Sequence, residues 1–286
     1  MREILNTQVL LVGYGRMGKV HAKYLRKFGI NFSIYEPEPF SIKQNTAELL
    51  NVTEICNIDL SKFTHSIIAS PDHIHIINYK QLRESGFDGK ILIEKPAFIN
   101  DEDLKILQTD DKVCVGLVER YNPAIESLKS KIELNEIISL DFIRCSHIHG
   151  SNQTIDAFRD VGIHDLDAYD FLIGISKHDK FDLFKNSNTF NGTLVRPDGI
   201  FARFLWSNET FLKERKIIVR QANTTYIADL MEQSVQAVKS DAVGRKIIEQ
   251  IYVEKASPIE RQLISFLKNE NKNVGIAAHT LVLNNL

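Results

Sequence analysis

The sequence predicts a two-part α/β chain: a doubly wound parallel sheet at the N-terminus, then an α+β half with a large, open, mainly antiparallel sheet. Three observations carry this expectation. From residue 8 to about 120, short β-branched apolar runs alternate with longer helical stretches. The first run leads directly into Gly13-Tyr14-Gly15-Arg16-Met17-Gly18. Beyond about residue 120 the alternation stops, and strand-like runs are separated by Asn-Gly, Pro-Asp-Gly and Ser-Asn pairs.

In the first part, the expected strands are Val9–Val12, Phe32–Tyr35, Ser66–Ala69, Ile91–Ile93 and Val113–Val118. They are continuous rather than alternating, as befits parallel strands covered on both faces. The expected helices between them are Met17–Phe28, Ile42–Leu50, Ile74–Ser85 and Asp101–Thr109. In the second part we expect helices at Pro123–Ile132 and Gly162–Leu172 and a long strand at Ile137–Ser146. Residues 178–230 read as hairpins turning at Asn191-Gly192, Pro197-Asp198-Gly199 and Ser207-Asn208. A last helix follows Ser257-Pro258, where Ser caps and Pro suits the first turn. The domains are therefore drawn at 1–120 and 121–286.

A chain of 286 residues is long enough for two domains, and 43% hydrophobic with 25% charged residues is ordinary for a globular protein. A formal net charge of -2 argues against nucleic acid as partner. No apolar run approaches the ~20 residues of a membrane helix. Three widely spaced cysteines, Cys56, Cys114 and Cys145, suit a reducing compartment, and the N-terminus has no secretory pattern. A cytoplasmic protein is expected.

The glycine run sits between a strand and an amphipathic helix. The first glycine permits a tight turn, the second lets a pyrophosphate approach the backbone, and the third lets helix and strand pack closely. The helix N-terminus supplies free N–H groups and a favourable dipole. Alone, such a loop is equally a glycine-rich turn. Glu36, at the end of the next strand, stands where an acid takes ribose hydroxyls, and it would repel a 2′-phosphate. This favours NAD, while Lys43 leaves NADP open. The first half reads as a Rossmann domain whose contacts include Gly13, Tyr14, Gly15, Arg16, Met17, Gly18 and Glu36.

Two further segments fall at carboxyl ends of strands, where open α/β sheets bind ligands. Ser70-Pro71-Asp72-His73-Ile74-His75 follows the third strand, and Glu94-Lys95-Pro96 follows the fourth. Ser70, Pro71, His75, Glu94 and Lys95 are thus expected beside the cofactor. A Lys near a nicotinamide ring can hydrogen-bond and polarise a substrate oxygen. In Asp160-Val161-Gly162-Ile163-His164-Asp165-Leu166-Asp167, a helix would put Asp160 and His164 on one face. His164 suits removal of a hydroxyl proton, with Asp160 orienting it or binding a neighbouring hydroxyl. Asp165 and Asp167 read as capping or solvated residues. The competing reading has His164 merely packed against the sheet.

In this order, GYGRMGKVH, ASPDHIHI, ILIEKP, GLVERYNP, DVGIHDLD and SPIERQLISFLKNENKN resemble the landmarks of the Gfo/Idh/MocA oxidoreductase family, over nearly the whole chain. The resemblance implies a catalytic pair of Lys95 and His164, with Asp160 aiding substrate binding. It implies a sugar, polyol or nucleotide-sugar substrate oxidised at a hydroxyl. Glu119-Arg120-Tyr121-Asn122-Pro123 is similar to the version in relatives acting on UDP-N-acetylhexosamines, which would turn Arg120, Tyr121 and Asn122 to the substrate. A polar interdomain hinge is the alternative reading. The short second half and the compact segment between His149 and Asp160 depart from longer members.

His147 and His149 share a strand face and could join His164 on a metal, but no cysteine or carboxylate completes a familiar spacing, so no metal is expected. A GxSxG elbow is absent. The rival function is a non-catalytic dinucleotide-binding sensor or scaffold, which would not need Lys95, Asp160 and His164 together. The resemblance also implies a cis Lys95-Pro96 peptide. An open sheet with an uncovered face implies a homodimer or homotetramer, with Ile200–Trp206 and Lys216–Val219 supplying the apolar surface.

Overall fold

A computed structural model describes residue 4 and residues 6–38, 49–97, 100–147, 157–270 and 275–285. The chain packs as two compact units. The first comprises Met1–Leu117 and Ile259–Ile276, and the second comprises Val118–Pro258 and Ala277–Leu286. The expected single boundary near 120 misses the return of 259–276 to the first unit. Its cause is the apolar stripe of the helix α6 (Pro258–Leu267), whose Leu263, Phe266 and Leu267 join the core of Val9, Leu11, Ile34 and Ile67. Lys27 and Glu260 add an ion pair at 2.8 Å.

The first unit is a five-stranded parallel sheet in the order β2-β1-β3-β4-β5. Its strands are β1 (Gln8–Val12), β2 (Asn31–Tyr35), β3 (His65–Ile68), β4 (Lys90–Glu94) and β5 (Val113–Gly116). All but the edge strand β2 are buried nearly throughout, which is why they read as continuous apolar runs. The helices are α1 (Arg16–Phe28), α2 (His75–Glu84) and α3 (Asp101–Gln108). The order reverses between β1 and β3, so the loops leaving these two strands diverge and open a crevice at their carboxyl ends. The expected helix Ile42–Leu50 lies largely outside the described residues. Its last two residues run along β2: Leu49 bridges Ile34, and the Leu50 N–H donates to the Ile34 carbonyl at 2.8 Å.

The second unit is an eight-stranded sheet, β13-β12-β11-β10-β6-β9-β8-β7, antiparallel except for the parallel pair β6–β9. Its strands are β6 (Ile137–His147), β7 (Lys180–Asn186), β8 (Thr189–Val195), β9 (Phe201–Ser207), β10 (Glu209–Gln221), β11 (Thr224–Asp229), β12 (Ser234–Ser240) and β13 (Lys246–Ile251). The sheet thus continues beyond residue 230. Helices α4 (Pro123–Lys129), α5 (Ile163–Ile173) and α7 (Ile276–Asn284) complete the elements. Tyr169 of α5 packs edge-on against Phe142 and Phe204, so one sheet face is core.

Two of the three expected turns are present. Pro197-Asp198-Gly199 links β8 to β9, with Gly199 at φ +90°, and Ser207-Asn208 links β9 to β10. Asn191-Gly192 is instead mid-strand in β8. A Cβ at Gly192 would stand 3.1 Å from both Phe181 and Trp206, so this glycine serves aromatic packing rather than a turn. The β7–β8 turn falls at Ser187, in the left-handed region at φ +54°. No helix among the described residues is long and apolar enough to cross a membrane.

Candidate active site

The glycine loop leaves β1 under tight steric control. Gly13 has φ +93°, and a Cβ there would meet the Ser70 nitrogen at 2.5 Å. A Cβ on Gly18 would stand 2.2 Å from the Gly13 carbonyl oxygen, so α1 can start against the loop only with glycine at that position. Gly15 differs: a Cβ there would meet nothing within 4 Å. It is the N-cap of α1, and no side chain caps the helix. The first-turn N–H groups are therefore left for an anion. This open approach, an uncapped helix start and a nearby acid fit a dinucleotide.

That acid is Glu36. Its Oε2 accepts the Tyr14 N–H at 2.8 Å, and its Oε1 accepts the Glu38 N–H at 3.2 Å. A cleft of about 370 Å³ gathers Gly13, Gly15, Arg16, Met17, Glu36, Ser70, Pro71, His75, Glu94 and Lys95. Of the expected cofactor residues in this unit, Gly18 lies beneath the loop, and the Tyr14 ring packs against the hydrophobic core with Lys19 above it. Ser70 is fastened by Asn78 of α2, whose amide donates to its Oγ at 2.8 Å.

Lys95 is half-buried on the cleft wall, and the Lys95-Pro96 peptide is cis. His75 does not present a nitrogen to the cleft. Its Nδ1 lies 2.8 Å from the Pro96 carbonyl and its Nε2 lies 2.8 Å from the Ser70 carbonyl. It braces the loops after β3 and β4. Behind the cleft, His21 of α1 meets Glu94 at 2.7 Å, with both side chains buried.

In the second unit, His164 is buried in the first turn of α5. Asp160 is half-buried on the preceding turn, Phe158–Gly162, which is π-helical. A π turn closes i→i+5, so the regular α spacing expected for Asp160 and His164 does not apply here; such turns concentrate at functional sites. Gly162 makes it fit, because a Cβ there would stand 3.0 Å from Phe158 and 3.2 Å from Trp206.

The aspartates beside His164 are not solvated caps. Asp165 accepts Arg144 Nη2 at 2.7 Å and the Trp206 indole at 2.9 Å. Asp167 takes Arg120 through Nε at 3.0 Å and Nη2 at 2.5 Å, and Asp170 adds a contact at 3.0 Å. Burial opposes the Arg120 charge, and these two carboxylates outweigh that penalty, raising its proton affinity. Arg120 is thus committed to α5 rather than to substrate. Asn122 is also committed: its Oδ1 caps α4 at the Ala124 N–H, and its Nδ2 donates to the Leu230 carbonyl at 3.0 Å. Tyr121 is buried. Glu119 receives Arg144 at 3.1 Å and Arg215 at 3.0 Å. Of the three histidines weighed and set aside as metal ligands, His149 lies outside the described residues.

No family model matches the sequence, and no curated protein matches it. Solved structures do. UDP-N-acetylglucosamine 3-dehydrogenase GnnA from Acidithiobacillus ferrooxidans is similar with a TM-score of 0.80 at 16% identity, covering 97% of this chain and 96% of that one. An oxidoreductase from Bacillus cereus gives 0.76 at 17% identity, covering 97% and 96%. A protein from Desulfitobacterium hafniense assigned as an NADPH-dependent oxidoreductase gives 0.80 at 16% identity, covering 98% and 94%. The fold is that of the Gfo/Idh/MocA oxidoreductases. In this Gfo/Idh/MocA fold, the residues that sequence reasoning passed over are His21, Asn78 and the pair Arg144–Asp165. A detectable signal existed for His21: it interrupts the buried stripe Gly18, Ala22, Leu25 with a polar ring. Arg144 shares a strand face with Leu140 and Phe142, which marked it as inward, whereas α5 is buried nearly all round and gave no such signal for Asp165.

Proposed function

We propose that the chain is an oxidoreductase of the Gfo/Idh/MocA family, transferring hydride between a nicotinamide dinucleotide and a hydroxyl-bearing carbon of a sugar, polyol or nucleotide sugar. The observation that carries this reading is the cleft of the first unit: an uncapped helix start, an open Gly15, Glu36 and Lys95 lie around one cavity. The full-length structural similarity to a UDP-N-acetylglucosamine dehydrogenase supports the substrate class. When bound, the dinucleotide accepts or returns hydride. The chain's own residues do the rest. The α1 N-terminus and glycine loop hold the pyrophosphate, and Glu36 takes ribose hydroxyls. Lys95 hydrogen-bonds the reacting oxygen and stabilises its developing charge. His164 accepts the hydroxyl proton, and Asp160 binds or orients beside it.

NAD is the cofactor this reading favours, because a fixed carboxylate at Glu36 opposes a 2′-phosphate. A reducing, cytoplasmic setting belongs to the same reading: Cys56, Cys114 and Cys145 are all free thiols. The test is formation of NADH or NADPH from sugars, polyols and UDP-sugars, together with mass spectrometry of co-purified small molecules. Turnover of a member of these classes supports an enzyme. Tight dinucleotide binding with no turnover of any co-purified compound supports a sensor instead.

A further inference from the structure

We propose that His21 is a positioning residue for the nicotinamide end of the dinucleotide and acts there through Glu94. This rests on the dinucleotide reading of the cleft. His21 lies three residues after Gly18 on the inward face of α1 and is fully buried. Its Nε2 is 2.7 Å from Oε1 of Glu94, the last residue of β4. Its Nδ1 is buried with no hydrogen-bond partner among the described residues.

That asymmetry assigns the proton. A neutral imidazole has one N–H and one acceptor nitrogen. A proton on Nδ1 would be a buried donor with nothing to receive it, a costly state. A proton on Nε2 is donated to the carboxylate as a charge-assisted bond. His21 is therefore the Nε2–H donor and Glu94 the acceptor. The Glu94 carboxylate is confined from the β5 side as well, where a Cβ at Gly116 would stand 3.1–3.2 Å from Cδ, Oε1 and Oε2. Held between α1 and β5, Glu94 lines the cleft beside Lys95.

The sheet order says which end of the ligand this affects. Glu36 follows β2, the glycine loop follows β1, and Glu94 ends β4, on the far side of β3. If Glu36 serves the adenosine half and the glycine loop the pyrophosphate, Glu94 serves the nicotinamide half. One rigid helix then holds both ends in register: its N-terminus faces the pyrophosphate, and its second turn fixes the acid for the distal ribose and ring.

The experiment is a calorimetric titration with two probes. One is ADP, which lacks the distal ribose and nicotinamide. The other is whichever of NADH and NADPH the wild type binds more tightly. His21→Leu should weaken the dinucleotide about tenfold, the scale of losing one hydrogen bond to a charged group. ADP affinity should stay within about twofold, because the glycine loop is untouched. His21→Gln, which keeps a donor at that reach, should retain most of the affinity. Glu94→Gln should reproduce the His21→Leu loss, and the double variant should lose no more than the worse single one. Equal weakening of ADP and dinucleotide by His21→Leu would show a role in α1 stability alone and overturn the proposal. So would unchanged affinity for both. If His21→Leu does not fold, as read by thermal melting, Glu94→Gln decides: wild-type dinucleotide affinity overturns the claim. A wild type that binds neither NADH nor NADPH overturns the dinucleotide reading itself, a result distinct from any variant's behaviour.

Discussion

Glu36 reaches back from the end of β2 to accept the Tyr14 N–H at 2.8 Å, tying the acid to the glycine loop. A carboxylate held this way is fixed in place, so a 2′-phosphate would meet it directly. NAD(H) should bind at least several-fold more tightly than NADP(H), and Glu36→Ala should erode that preference while also weakening NAD(H). Calorimetry showing equal or tighter NADP(H) binding by the wild type contradicts this.

Two of the loop glycines, Gly18 and Gly15, should separate fold from binding. A Cβ at Gly18 collides with the Gly13 carbonyl. Overpacking of this kind costs about 1–3 kcal/mol, so Gly18→Ala should lower the melting temperature by several degrees. Gly15 faces open space, so Gly15→Ala should leave melting unchanged and weaken nucleotide binding. A Gly15→Ala variant with unaltered dinucleotide affinity would show that nothing approaches the backbone there.

Glu119 should leave a signature in acid. Burial pushes its pKa up, but Arg144, His164 and Arg215 prevail and hold it at about 2, against an ordinary 4.5. A carboxylate depressed on folding contributes stability above its unfolded pKa and loses it as pH falls toward the folded value. Glu119→Gln breaks a buried pair and should cost about 3–5 kcal/mol near neutrality. The gap between wild type and variant should narrow from about pH 5 to about pH 3. Denaturation curves showing a constant gap across that range would refute the assignment.

Much of the fold was legible because burial writes itself into periodicity. The parallel strands are short and largely buried, and each was readable as a run. What failed was local chemistry overruled by packing. Asn191-Gly192 has the composition of a turn, yet Phe181 and Trp206 need its missing side chain. Arg120 and Asn122 read as substrate-facing or hinge residues and Asp165 and Asp167 as capping or solvated ones, but the partners that hold them lie across the fold, at separations no motif encodes. The π turn before His164 depends on Gly162 fitting under Trp206, a tertiary cause. The helix α7 is apolar without a clear stripe and so gave no helical signal.

The expected assembly is tested at the outer face of the eight-stranded sheet. Of the segments expected to form it, Phe204, Trp206, Ile217 and Val219 are core residues. Their neighbours Phe201, Leu205 and Ile218 alternate to the other face, level with Ile143 and Ile227, and are half-exposed. We expect a second copy to cover this face, giving a dimer or tetramer. Leu205→Lys with Ile218→Lys should dissociate it with little loss of melting temperature. A monomeric wild-type mass by light scattering at micromolar concentration contradicts this.

The central claim is that Lys95 and His164 carry out proton and hydride chemistry with a nicotinamide cofactor. It is tested most directly by the rate of NADH formation on the identified substrate by wild type and His164→Ala, with NAD affinity measured alongside. A positioned acid–base group contributes about 10²–10⁴-fold in rate. The account predicts a loss of kcat of that size with NAD affinity nearly unchanged, because the cofactor residues belong to the first unit. A His164→Ala variant that keeps near-wild-type kcat would contradict it.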